Sequence, residues 1–126
     1  MGTMIHPHEP PPGTQLARLD ELAKSGCVER EFGPAHERFR LVVLSVAGHI
    51  HAFENRCPHF SIPLNYEPGR FWVYDGSTLM CAHHSAMFHL DSGLCFDGPC
   101  QGARLRRLEI EIGRGAVWRA ADLSCA

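Results

Sequence analysis

Residues 39–59 read FRLVVLSVAGHIHAFENRCPH, and this stretch decides the fold. From Phe39 to Val46 the side chains are mostly apolar and often β-branched, types that pack well on a pleated surface, so the segment reads as a strand. Ala47-Gly48 turns the chain, and His49 to Phe53 returns as the second arm of a hairpin. The pattern recurs downstream, with Phe71 to Tyr74, a turn at Asp75-Gly76, then Leu79-Met80. Near the end, Leu108, Ile110 and Ile112 alternate with Glu109 and Glu111, the period-2 signature of a half-buried strand. Gly113 to Gly115 then turns into a last strand, Ala116 to Arg119. Upstream, Gln15 to Leu19 reads as a short first strand and Asp20 to Ser25 as one helical turn, ended by Gly26. No segment supports a long amphipathic helix and no internal repeat is visible. The fold class is mostly β.

The remaining composition narrows the function. The chain has 126 residues, the size of one domain. Twelve glycines and nine prolines make it turn-rich, and 44% hydrophobic residues leave material for a core. A net charge of −2 lacks the basic excess that phosphate contacts require, so no nucleic-acid partner is expected. No apolar run is long enough to span a bilayer. Met1 to Gly13 shows no basic flank followed by an apolar stretch, so no secretory signal is visible and a cytoplasmic protein is expected. That segment carries Pro7, Pro10, Pro11 and Pro12 and little to bury, so residues 1–13 are expected to form a flexible tail. Residues 121–126 are expected to form a second tail, with the domain at 14–120. His6 and His8 fall in the first tail and are assigned no function.

Six cysteines and nine histidines stand out against this background. In a cytosolic chain such a count points to metal binding or catalysis rather than to a disulfide framework. Two motifs concentrate them: Cys57-Pro58-His59 and Cys81-Ala82-His83-His84, with 21 residues between His59 and Cys81. Each closes a proposed hairpin, so both lie on loops able to face each other. Two thiolates and two imidazoles make a four-ligand metal site. Zinc accepts such a set, but its structural sites usually pair Cys with Cys and His with His along the chain. Here each loop offers one of each, which suits a diiron cluster with Cys₂ on one iron and His₂ on the other. Zinc in the same ligands is the alternative that the residues leave open.

The sequence from Ala52 to Pro99 resembles a Rieske-type [2Fe–2S] ferredoxin. Ala52-Phe53-Glu54-Asn55-Arg56-Cys57-Pro58-His59 is similar to that family's run into its first cluster loop. Asp75-Gly76, Leu79, Cys81, His84, Phe88, Gly93 and Gly98-Pro99 are similar to its second loop and the proline loop beyond. The resemblance implies a Rieske-like fold, an antiparallel β base domain (residues 14–51 and 101–120) with an inserted cluster-binding subdomain at about 52–100. It implies one [2Fe–2S] cluster held by Cys57, His59, Cys81 and His84. Rieske proteins of cytochrome bc complexes add a disulfide between the loops, but the matching positions here are Ile62 and His83. Those proteins also place a serine hydroxyl near a bridging sulfide, where this chain has Ala86. Most of the family has glycine after the second histidine, where this chain has Ser85.

The implied function is one-electron transfer from a flavin-dependent reductase to a terminal oxygenase or other redox protein, with no substrate chemistry of its own. A small Rieske subunit of a larger oxidoreductase, resembling the nitrite reductase small subunit, is the alternative, and a zinc-stabilised binding module the outsider. His83 is read as a neighbour of the ligand His84. Cys27, Cys95, Cys100 and Cys125 are read as ordinary thiols. His49 and His51 share one strand face and read as solvent-facing. Arg104, Arg106 and Arg107 read as a solvated strand face. Phe60, Ile62, Leu64, Met87 and Phe88 are expected to keep water from the cluster.

Overall fold

The structure is a computed structural model that describes residues 6–58, 63–65, 67–83 and 85–121. Strand β1 (Gln15–Arg18) runs directly into helix α1 (Leu19–Ser25), the helical turn expected there. Asp20 and Glu21 occupy its first turn and Lys24 its last, each placed favourably for the helix dipole. The Glu21 carboxylate accepts from the Arg18 backbone N–H at 2.9 Å, and Gly26 ends the helix at φ 79°. That left-handed conformation is one that glycine adopts without strain. Strand β2 (Cys27–Phe32), a 3₁₀ turn (Ala35–Glu37), β3 (Phe39–Val46) and β4 (His49–Glu54) follow. Next come β5 (Trp72–Tyr74), β6 (Thr78–Met80), β7 (Met87–His89) and β8 (Cys95–Asp97). β9 (Ile110–Gly113) and β10 (Ala116–Arg119) complete the chain.

These strands form three antiparallel sheets, in the orders β1-β10-β9, β2-β3-β4 and β5-β6-β7-β8. Strand β3 explains how they stack. Successive side chains of a strand point to opposite faces, and on β3 both faces are covered. Leu41 and Val43 join Leu16, Leu22, Ala52, Leu108 and Val117 in one core. Val42 and Leu44 join Phe53, Leu79, Phe88 and Leu105 in a second. Burial on both faces is why the segment reads as a continuous apolar run rather than an alternation. β4 continues the division, since Val42 pairs with Phe53 and Val43 with Ala52.

Three strands were not legible in the sequence. β2 buries only Val28 among mostly polar side chains and owes its conformation to full pairing with β3. β7 and β8 have three residues each, too few to display a period. The alternation over residues 108–112 does mark a strand, but its burial fades outward. Leu108 is buried, whereas Ile112, on the edge strand of its sheet, is 56% exposed.

The amino-terminal segment departs further from its expected behaviour. Glu9 pairs with Arg106 and with Arg119, the latter at 2.7 Å, and the Glu9 and Arg119 side chains are only 5% and 3% exposed. Gly13 donates its N–H to the Arg119 carbonyl at 2.7 Å, and Arg119 donates to the Thr14 carbonyl at 2.8 Å. Residues 6–13 therefore lie against the folded chain, although their prolines read as a flexible tail. The partners of Glu9 lie 97 and 110 residues away, beyond the reach of any local signal. Arg106, read as part of a solvated face, belongs to this buried cluster. Glu9→Ala should cost about 3 kcal/mol, the scale for removing one partner of a buried ion pair. Glu37→Ala, which removes only an exposed contact to His8, should stay within about 0.5 kcal/mol. Urea unfolding of both variants checks the contrast.

Among the described residues, no helix is long and apolar enough to cross a membrane.

Candidate metal centre

Cys57 follows the end of β4 by three residues and Cys81 follows β6 directly. Both are without exposed surface, and both belong to the core that includes Phe53, Leu64, Leu79 and Phe88. The structure thus places in one core the two thiols that the sequence set in separate motifs. His59 and His84 lie outside the described residues, as do Phe60, Ile62 and Cys125. Among the described residues, no three His, Cys, Asp or Glu side chains gather as a metal site.

Buried amides fix the approach of the first loop. Asn55 donates its own N–H to the Arg40 carbonyl on β3 at 2.8 Å. Its side-chain oxygen accepts from the Leu64 N–H at 2.7 Å, and its amide nitrogen donates to Asn65 Oδ1 at 3.0 Å. Asn65 in turn donates to the Glu67 carbonyl at 2.7 Å. One side chain before Cys57 therefore clamps the return of the same loop. The Leu64 carbonyl accepts from the Ala82 N–H at 2.8 Å, which ties the first loop to the second. Asn55 was part of the recognised run, but Asn65 carried no signal, because a lone Asn in a loop usually marks only a turn.

The second loop is tight. Cys81 donates its N–H to the Ala86 carbonyl at 2.9 Å, and its own carbonyl accepts from the Ser85 N–H at 3.0 Å. This closure sets Ser85 at φ 60°, in the left-handed region that glycine favours. Ser85 is exposed, and Ala86 is fully buried. Behind Ala86 lies Gly98, whose φ of 97° and close approach both demand glycine. A Cβ there would stand 2.7 Å from Ala86 Cα and 3.2 Å from its nitrogen. The segment that follows carries Cys100 into the same core as Cys57.

Cys95 and Cys100 are more than scattered thiols. The Cys100 thiol donates to Cys95 Sγ at 3.2 Å, and Cys95 donates to the Asp97 carbonyl at 3.2 Å. Burial pushes the Cys100 thiol up to about 12, with the neighbouring Cys95 and Cys57 sulfurs adding to the shift. Cys27 stands apart and donates to the Gly69 carbonyl at 3.1 Å. His49 is exposed, while the His51 ring is half-buried and stacks on Phe53 with centroids 6.3 Å apart. Burial, then Arg107 and His49, lower the His51 pKa.

The donor chemistry fits an iron–sulfur group. Two cysteine sulfurs in an apolar core are costly as isolated anions, and metal ligation supplies the positive partner that such burial requires. Leu64, Leu79, Phe88 and Leu105 pack the surroundings.

Comparison with known proteins is consistent with this geometry. Residues 14–112 match the Rieske [2Fe-2S] domain family. A ferredoxin of Sphingomonas yanoikuyae B1 superposes with a TM-score of 0.67 at 20% identity, over 87% of this chain and 99% of that one. A chain from the complex of reduced oxygenase and oxidized ferredoxin in carbazole 1,9a-dioxygenase gives 0.63 at 22% identity, over 84% and 99%. The terminal oxygenase of carbazole 1,9a-dioxygenase from Novosphingobium sp. KA1 gives 0.69 at 20%, covering 90% of this chain but 31% of the oxygenase. No curated protein sequence matches the chain.

Gly98→Ala should destabilise the protein by about 3 kcal/mol, combining left-handed backbone strain with a clash against backbone atoms. Gly102→Ala provides the contrast, since Gly102 has a similar φ of 95° but open space around it. It should cost about 1–2 kcal/mol from the backbone alone. Thermal unfolding of the two variants should separate these contributions.

Proposed function

The chain belongs to the Rieske [2Fe–2S] domain family, and from that premise we propose a one-electron carrier that links a flavin-dependent reductase to a terminal oxygenase or similar redox protein in the cytoplasm. The cofactor is a [2Fe–2S] cluster held by two cysteines and two histidines. Cys57, His59, Cys81 and His84 would hold it. A cluster of this kind supplies one-electron transfer, at potentials of about −150 to +300 mV against about −400 mV for plant-type ferredoxins.

The observation that carries this reading is the convergence of Cys57 and Cys81, both fully buried, on one apolar core. Likeness to a ferredoxin over nearly all of that protein's length supports a carrier. The oxygenase acceptor is supported by likeness to chains from oxygenase–ferredoxin complexes. The reductase donor follows from the sequence resemblance. The chain's own residues would prepare the site: Asn55 fixes the loop entry, and the apolar core excludes water. Ala86 presents a methyl group where high-potential proteins of similar sequence present a hydroxyl.

Alanine at Cys57, His59, Cys81 or His84 should abolish cluster incorporation, and His83→Ala should leave it intact. Iron and sulfide quantification with reduced-state EPR checks the set. A colourless His83→Ala protein beside a coloured His84→Ala protein would reverse the assignment of the second histidine. Zinc in place of iron and sulfide would establish the binding-module alternative.

With a methyl at position 86, the potential at pH 7 should fall between about −150 and 0 mV, the low end of the family range. Hydrogen bonds to cluster sulfurs stabilise the more negative reduced state, so each missing donor lowers the potential. Protein-film voltammetry reads it directly, and a value near +200 mV would be incompatible with this carrier role. Ala86→Ser should move the potential upward.

A further inference from the structure

Cys95 and Cys100 stand sulfur to sulfur. The Cys100 thiol donates to Cys95 Sγ at 3.2 Å, and both side chains lie in the core that includes Ala86. Backbone hydrogen bonds hold the two residues in place. Cys95 donates its N–H to the Ala103 carbonyl at 2.8 Å, and its own carbonyl accepts from the Gly102 N–H at 3.0 Å. Ala103 in turn donates to the Cys100 carbonyl at 2.9 Å. Between the two sulfurs runs the segment whose Gly98 lies against Ala86 of the second ligand loop. Its residues Asp97, Gly98 and Pro99 are exposed, so the pair sits directly under the surface.

We propose that Cys95 and Cys100 are a redox-active pair that closes to a disulfide by exchange with a low-molecular-weight disulfide, stapling the segment that packs against the second ligand loop. The sulfurs need to approach by only about 1 Å more to reach bonding length. Groups already held in contact react without spending further entropy on their encounter. The two thiols differ, and the difference assigns their order. Cys100 keeps 6% of its surface exposed and Cys95 only 1%, so Cys100 meets the oxidant first. Its thiol loses a proton and its sulfur attacks one sulfur of the external disulfide. That disulfide bond breaks, and one small thiol leaves with the proton. Cys95 Sγ accepts the hydrogen bond from Cys100, so a lone pair already faces that sulfur, while its own proton is directed to the Asp97 carbonyl at 3.2 Å. Cys95 then attacks the Cys100 sulfur, the mixed disulfide breaks, and the second small thiol leaves with the Cys95 proton. Two protein thiols are oxidised, and one external disulfide is reduced to two thiols.

Burial pushes the Cys100 thiol up to about 12, and the exchange rate follows the thiolate fraction. Closure is therefore slow, and the pair answers a sustained oxidising environment rather than a brief one. Disulfides in cytosolic proteins are usually redox-sensing rather than structural, and this pair suits that role. The step does not depend on the reading of Cys57 and Cys81 as ligands.

The cluster-loaded full chain, equilibrated anaerobically at pH 7 with excess oxidised glutathione, trapped by acid and alkylation and mapped by peptide mass spectrometry, tests the proposal. The parent should lose two hydrogen atoms and carry a bridge between Cys95 and Cys100. Cys95→Ser should stop with glutathione on Cys100, whereas Cys100→Ser should leave Cys95 unmodified. Both thiols alkylated in the equilibrated parent, or a bridge from either one to Cys27 or Cys57, would overturn the pairing. Glutathione on Cys95 in Cys100→Ser would overturn the assigned order. The bridged parent should also melt about 5–10 °C above the reduced parent, the scale for closing so short a loop in a chain of this size. An unmoved melting midpoint would overturn the stapling role. If either serine variant fails to fold, the map and the melting midpoint of the parent still decide.

Discussion

Strand β3 sends alternate side chains into two different cores, Leu41 and Val43 into one and Val42 and Leu44 into the other. A strand covered on both faces has little freedom of register, because a slip of one residue would exchange the two sets. Its partner β4 inherits that register, with Phe53 opposite Val42 and Ala52 opposite Val43. The chain beyond β4 therefore starts its first loop from a fixed point. The backbone bond from Asn55 to Arg40 extends this control past the end of the strand. Cys57 is only two residues further on, so the position of its sulfur, proposed as a ligand, traces back to packing in the middle sheet.

The second ligand loop is set by different means. β6 delivers Cys81, and the bond from Cys81 to Ala86 folds the loop back within five residues. Two contacts then join the loops across the sequence: Ala82 to Leu64, and the close approach of Gly98 to Ala86. The first is a backbone hydrogen bond, and the second is a steric fit that requires a glycine. Each contributes little alone, about 1 kcal/mol net for a hydrogen bond. Buried together they are cooperative, since loosening one exposes polar groups that the others satisfy.

Small side chains also shape the electronic environment. Ala86 is fully buried and its side chain offers no donor, while the left-handed Ser85 is exposed. Near them in the same core, the Cys100 thiol donates to Cys95 Sγ and Cys95 to the Asp97 carbonyl.

The amino-acid sequence by itself determined the mostly β class, the two central hairpins and the pair of metal-ligand motifs. Each of these is carried by neighbours along the chain: the apolar run of β3, the turns at Ala47-Gly48 and Asp75-Gly76, and the Cys and His spacings. It also marked position 85 as a glycine site, and the φ of Ser85 bears the mark out. Tertiary structure alone decided what depends on distant partners. The pairing of Glu9 with Arg106 and Arg119 and the hydrogen bonds of Asn55 to Leu64 and Asn65 join residues separated by nine to more than one hundred positions. No periodicity encodes such contacts, because a lone carboxylate, amide or thiol reads the same whether water or a buried partner completes it. Their role is fixed only when folding removes the water.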